Sequence, residues 1–315
     1  MEKEKKKISL NMILALVIAG IVIFCGIKLY LWNNSGKDVV MEDVEDGAYD
    51  YESLDVVFTV DKEILENHGF DNINTILCIG NEVLTAKPEG TSLADIISTV
   101  PDSEMIVLSA YGTKVADAAN CYNTNDVSVW QSGNLYDIIK ALCYKDYSLQ
   151  ERALAEDAII SKDYYNTLIS IDMDKIDTLF IMYDSVDYMK GSALYNPDDK
   201  FDTSYYEGAY RAAITTVQQM YPHIKIVIGS PYLHATIVGD NVMPVTVIDN
   251  GVCNLSEYVM RQYNIAMETC VSYDDNFFGL ITEETMNYYC NVDALNLTGI
   301  ELIGNHIKEF LERDY

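Results

Sequence analysis

Five short apolar runs, each parted from the next by enough residues for a helix, constrain what this chain can fold into more than any other feature. Residues 76–79, 105–109, 178–183 and 224–229, with a weaker run near 269–272, read as buried strands. Helical patterns fall between them: around 93–99, across 135–170, over 204–220 and 255–267, and in a closing stretch at 298–313. Strands alternating with helices of this length predict a central parallel sheet covered on both faces, a three-layer α/β/α architecture. Ligands of such sheets sit beyond the C-terminal ends of the strands, so chemistry is sought where each run stops. With 315 residues, 49% of them hydrophobic, the chain can fill one sizeable core and carry an appendage besides. No internal repeat or low-complexity tract competes with that reading.

The appendage is N-terminal. Residues 8–27 contain no charged side chain, and twenty residues at about 1.5 Å each match the roughly 30 Å hydrocarbon core of a bilayer. The expected transmembrane helix runs over 8–32, closed by Lys28, Tyr30 and Trp32 at the interface. Lys3, Lys5, Lys6 and Lys7 make residues 1–7 a basic tail, which the positive-inside tendency assigns to the cytoplasm, with the rest of the chain extracellular. A cleaved signal peptide is the competing reading. Against it, the run is longer than an ordinary signal core, and no small-x-small cleavage site precedes the charged stretch. Cys25 reads as a small hydrophobe within the helix and not as a lipid attachment point, since Phe24 stands where a small residue is needed. Residues 33–52 are polar and acidic with two glycines, an acidic linker that lifts a domain at 53–315 off the membrane.

Five of the 21 basic and two of the 49 acidic residues lie in the first 32 positions, so the remainder carries 16 and 47, a net charge of −31. A domain that acidic is repelled by nucleic acid and by anionic envelope polymers, which argues against nucleic-acid partners. Outside the expected helix stand Cys78, Cys121, Cys143, Cys253, Cys270 and Cys290, none spaced as CxxC. Thiolate zinc and thioredoxin-like chemistry are therefore not expected, and free thiols are the default reading although an even count permits disulfides.

The stretch ILCIGNEVLT at 76–85 has the outline of a nucleophile turn: a buried strand, Gly80 for a sharp turn, then Glu82 at the strand's C-terminal edge. Three more blocks stand where later strands end or the last helix begins: AYGT at 110–113, DSVD at 184–187 and DALN at 293–296. With GNEV at 80–83, these blocks resemble in order, spacing and strand context those of the SGNH or GDSL hydrolases, over about residues 73–313. In that family the first strand ends in Gly-Asp-Ser-Leu, the second leads to a glycine, the third ends in Gly-x-Asn-Asp, and Asp-x-x-His precedes the last helix. IDTLFIMYDSVDY, NPDDKFDTSYYEGAYRAAI, GSPY and NLTGIELIGNHI are similar to segments of its membrane-anchored Gram-positive branch. The resemblance implies an SGNH/flavodoxin-like sheet and an ancestry among esterases, lipases and carbohydrate O-deacetylases.

Carried over position by position, the resemblance also implies that the catalytic set has been replaced. Glu82 stands for the nucleophilic serine, and a carboxylate cannot take that residue's part in the acyl-ester cycle. Val186 stands for the oxyanion asparagine and has no side-chain donor. Asn296 stands for the general-base histidine and cannot take a proton near neutral pH. Gly112 keeps a backbone N–H that can face the pocket, and Asp293 keeps its carboxylate but has no imidazole to orient.

Other residues at the same edge are candidates for binding. Ser230 and His234 could form a relocated nucleophile and base. Glu82, Asp184, Asp187 and Asp293 could converge on Ca²⁺ or an amine, against the plainer reading in which they cap turns; no metal or cofactor is expected on balance. Tyr188, Tyr195, Tyr205, Tyr206 and Tyr210 flank the segment after the third strand, either as sugar-stacking rings or as packing beneath a loop. The expectation is a membrane-anchored, extracellular, catalytically silent SGNH-like domain that binds an envelope glycan or a partner protein, with Asp184, Asp187, Tyr188, Ser230 and His234 as ligand-binding candidates. The alternatives are an active envelope carbohydrate esterase with a rearranged site, and a scaffold with no small ligand.

Overall fold

The computed structural model describes residues 53–69, 73–117, 132–155 and 160–313. The expected tail, transmembrane helix and acidic linker at 1–52, with Cys25, and also Cys121, lie outside the described residues. Among the described residues no helix is long and apolar enough to cross a membrane.

Five strands make one parallel sheet: β1 (Asn74–Gly80), β2 (Ser103–Ser109), β3 (Thr178–Met182), β4 (Lys225–Gly229) and β5 (Ser272–Asp274), in the order β2-β1-β3-β4-β5. The register sets Gly80 between Ser109 and Met182, and Gly229 between Met182 and Asp274, so the strand ends form a single row. The apolar runs are continuous and not alternating because both faces of the inner strands are covered. Ile76, Leu77, Cys78, Phe180, Ile181, Val227 and Ile228 are fully buried, each contributing about 1.5–3 kcal/mol of apolar burial for the larger side chains. Gly80 is required where it stands: a Cβ there would lie 2.0 Å from the Met182 carbonyl oxygen of β3. Strand order reverses between β1 and β3, which opens the crevice at their C-terminal ends.

Helix α1 (Leu93–Ile97) packs against α5 (Leu297–Glu312), while α2 (Leu135–Tyr144), α3 (Tyr206–Met220) and α4 (Leu255–Thr269) pack in succession. Right-handed crossovers put the two groups on opposite faces of the sheet. The expected α/β/α layering is therefore present. Ser92 and Asp95 close a capping box at the start of α1, and Asn254 caps α4 by accepting from the Glu257 amide.

Three elements differ from the sequence reading. The helical stretch expected across 135–170 is divided into α2, Ser148–Ala155 and Lys162–Ser170, with Lys145 in the left-handed conformation (φ +55°) ending the first. The strand expected near 269–272 begins only at Ser272, because α4 continues to Thr269 and Cys270 (φ +54°) closes it. A hairpin of Ala235–Val238 and Asn241–Pro244 was not foreseen; Ile237, Val238, Val242 and Met243 are exposed, so it leaves no buried run to read. Among the described residues Cys78, Cys143, Cys253, Cys270 and Cys290 are free thiols.

Residues just after the expected linker add to the sheet's edge. Val56 and Tyr273 exchange backbone hydrogen bonds of 2.9 and 2.8 Å in antiparallel sense, and Ser272 Oγ bonds both the Phe58 amide and its carbonyl. The open edge of β5 is covered in this way.

Candidate functional site

The site grows out of Asn81, the residue after Gly80. Asn81 is fully buried, and its side chain does two jobs: Oδ1 accepts from the Val83 amide at 3.3 Å and starts the short 3-10 turn Glu82–Leu84, while Nδ2 donates to Asp184 Oδ1 at 2.8 Å. Its carbonyl accepts from Ser109 Oγ at 2.6 Å. One asparagine thus ties together the ends of β1, β2 and β3. It is the second residue of the GNEV block, and an N-cap residue type directly after a buried strand is the sequence signal for it.

Glu82 follows, half-buried at the crevice. Its Oε2 accepts the Gly112 amide at 2.8 Å, and Gly112 adopts φ +71°, a turn that aims its N–H back toward β1. The surviving backbone donor therefore faces the chain's own carboxylate. Beside it Asp184 Oδ1 also accepts the Val186 amide at 2.9 Å. Burial pushes the Asp184 carboxyl above the usual carboxylate range, with the Glu82 charge adding to that and the Asn81 hydrogen bond and the His234 ring opposing it. Val186 thus lacks a donating side chain, and its backbone amide is already taken.

Asp187 lies one turn deeper. Its carboxylate accepts the Val115 and Ala116 amides at 2.7 and 3.1 Å and so fixes the loop that carries Gly112. Burial raises its pKa, opposed by Lys114 and these amides. Lys114 Nζ reaches Ser192 Oγ at 2.8 Å across the same loop.

His234 is buried with Nδ1 3.0 Å from the Ala235 carbonyl and Nε2 2.7 Å from Ser185 Oγ. A carbonyl only accepts, so Nδ1 carries the proton and the Ser185 hydroxyl donates to Nε2. This is the tautomer of a nucleophile and base, but the serine is 2% exposed. Ser230, which the sequence paired with His234, is instead fully buried and accepts the Asn276 amide at 2.8 Å. The pairing changes because Ser185 stands after β3 and reaches the ring first.

The last block divides. Asp293 is exposed in a left-handed turn (φ +56°), its amide donating to the Ala235 carbonyl at 2.7 Å. Asn296 caps α5: Oδ1 accepts the Gly299 amide at 3.0 Å and Nδ2 donates to the Tyr288 carbonyl at 2.8 Å. The four carboxylates considered for Ca²⁺ do not gather into a ligand set. Among the described residues the group that does so is Asp55, Asp274 and His306, at the outermost strand β5.

Of the tyrosines expected around the crevice, Tyr188, Tyr206 and Tyr210 are core residues in edge-to-face contact with one another or with Tyr258, and the Tyr188 hydroxyl is bonded to the Thr246 carbonyl at 3.2 Å. Tyr205 is half-buried, while Tyr195 is exposed with the Arg261 guanidinium 5.4 Å from its ring centre. The ring that stands free beside the Gly112 amide is Tyr111, 81% exposed, inside the AYGT block.

No family model matches this chain, and no curated protein does. Among solved structures, a Lactobacillus plantarum protein matches with TM-score 0.50 at 14% identity, over 78% of this chain and 100% of that one. A possible lipase from Chitinophaga pinensis follows at TM-score 0.47 and 12% identity, over 76% and 98% of the two chains. A structure from Parabacteroides merdae described as a GDSL-like lipase gives 0.42 and 14%, over 77% and 97%. At such identities the likeness is one of fold alone, and the fold is a parallel sheet with helices packed against it.

Proposed function

We propose that this protein is a membrane-anchored, extracellular SGNH-hydrolase-like domain that does no acyl transfer and binds at its sheet edge an uncharged, hydroxyl-rich envelope glycan or a partner protein. One observation carries the reading: the Gly112 amide is hydrogen-bonded to Glu82 Oε2, so the donor that would stabilise an oxyanion already holds a fixed negative charge. A carboxylate in that position disfavours an anionic ligand and any developing alkoxide alike. Tyr111 offers a free aromatic face beside it, suited to a sugar ring. The charge-free stretch at 8–27 and the lysines before it support the anchor and the outward orientation.

The test pairs chemistry with location. The full chain is treated with a serine-directed fluorophosphonate and with p-nitrophenyl acetate, and a reporter fused after residue 315 is assayed on intact cells. No adduct, no burst and a surface-accessible reporter are expected. The second reading, an envelope esterase using Ser185 and His234, rests on their 2.7 Å contact. It requires a burst that Ser185→Ala abolishes.

A further inference from the structure

Three donors from distant parts of the chain meet at the edge of the sheet away from the crevice: Asp55 in the added edge segment, Asp274 at the end of β5, and His306 in α5. Their donor atoms all lie within 4.8 Å of one another, with His306 Nε2 3.3 Å from Asp274 Oδ1 and 3.5 Å from Asp55 Oδ1. Those separations exceed the roughly 2.7–3.2 Å of an N–H···O bond. Asp274 Oδ1 and His306 Nε2 face each other as an ion pair without an aligned hydrogen bond, and the Asp274 side chain is fully buried. A buried carboxylate oxygen needs a partner, and here it has a poorly aligned imidazole nitrogen in place of a directed hydrogen bond.

The two separations from His306 suit an ion between the three groups. Four-coordinate zinc with bonds of about 2.0–2.2 Å separates its ligand atoms by roughly 3.3–3.6 Å along each tetrahedral edge. We propose that Asp55, Asp274 and His306 form a zinc-binding site that fastens the edge segment to β5 and α5. Two carboxylates offset the charge of a divalent ion, which would take the place of the proton on the imidazole, and the imidazole favours zinc over Ca²⁺ or Mg²⁺. The donors are also oriented from behind. Asp55 Oδ1 accepts the Asp275 amide at 2.9 Å, Asp55 Oδ2 accepts from Arg313 Nη1 at 3.0 Å, and Asp274 Oδ2 accepts from Asn276 Nδ2 at 2.7 Å. The Asp55 and His306 side chains are 12% and 13% exposed, and His306 lines a surface groove of about 460 Å³ with Tyr288, Asn305 and Glu309, so solvent reaches the fourth position.

The experiment uses the full chain purified in detergent, stripped with chelator and titrated with Zn²⁺ alone. One equivalent binds, Tm rises by several degrees, and Co²⁺ in its place gives the visible absorption of a four-coordinate ion. His306→Gln, at a partly exposed position, weakens Zn²⁺ binding at least about a hundredfold while the circular dichroism of the metal-free protein is unchanged, and Asp163→Asn on a remote helix leaves binding intact. Absence of saturable binding in the folded wild-type chain, or binding that His306→Gln leaves nearly unchanged, overturns the assignment. If His306→Gln does not fold, the wild-type Co²⁺ spectrum decides: a four-coordinate band supports the site, and a six-coordinate spectrum or none overturns it.

Discussion

Gly112 donates its amide to Glu82 Oε2 across 2.8 Å, so the loop after β2 and the turn after β1 are joined through the two groups that acyl transfer would keep apart. Two more residues of the ordered blocks are likewise engaged within the chain. The Val186 amide is taken by Asp184, and Asn296 spends both ends of its side chain on the start of α5. The Gly112 and Val186 amides and the Asn296 side chain thus all make their hydrogen bonds within the chain.

Releasing Gly112 should create an anion site that the natural chain lacks. Glu82→Ala frees the amide at a half-exposed position, so the stability change stays within about 1 kcal/mol. Acetate added to labelled protein then shifts the Gly112 amide resonance in Glu82→Ala and leaves it unmoved in wild type. Equal shifts in both proteins would mean that the carboxylate does not occupy the donor.

Asp187 is a positioning residue for the same loop. Removing its carboxylate leaves the Val115 and Ala116 amides buried without an acceptor. Asp187→Ala should therefore cost about 3 kcal/mol in urea unfolding, and Asp187→Asn, which keeps one acceptor oxygen, distinctly less. A cost under about 1 kcal/mol for the alanine variant would contradict this role.

Much of this was legible in the sequence, for a physical reason. Inner strands buried on both faces must be continuous apolar runs, which is why β1 and β3 stood out, whereas β5 reads Ser-Tyr-Asp and gains its place partly from Val56. The ordered blocks located Glu82, Gly112, Val186 and Asn296, but block spacing carries no information on who bonds whom. Ser185 lies inside the DSVD block and is, beside Ser230, a candidate serine for the rearranged site, but which of the two reaches His234 depends on how the chain leaves β3 and β4. Asp55 and Asp275 lie 220 positions apart, a separation at which no local pattern signals contact.

Asp137 makes stability fall as pH rises from acid through about 9. Burial, together with the neighbouring Asp117 charge, raises its carboxyl in the folded state to about 9, far above the 3.8 of an unperturbed aspartate. The folded protein thus holds a proton that the unfolded chain releases. The resulting stabilisation is complete below pH 3.8, declines above it, and is lost as pH rises through about 9. Thermal unfolding followed between pH 6 and about 10 should show Tm dropping in wild type and a flatter profile in Asp137→Asn, whose amide cannot ionise. Parallel profiles for the two proteins would refute a raised Asp137 carboxyl.

Two glycines separate close approach from backbone conformation. At Gly80 a methyl group would stand 2.0 Å from the Met182 carbonyl oxygen, and neither strand can yield without disturbing the pairing that aligns Asn81 with Asp184. At Gly90 nothing lies within 4 Å of an added Cβ, but φ is +92°, so only backbone strain opposes a side chain. Gly90→Ala should cost about 1–2 kcal/mol and Gly80→Ala at least about 3 kcal/mol, measured by urea unfolding. Gly80→Ala should also open the crevice, seen as faster exchange of the Val83 and Val186 amides, which Gly90→Ala leaves alone. Similar costs and similar exchange for the two variants would show that β1 does not depend on its contact with β3 to hold the Asn81 turn.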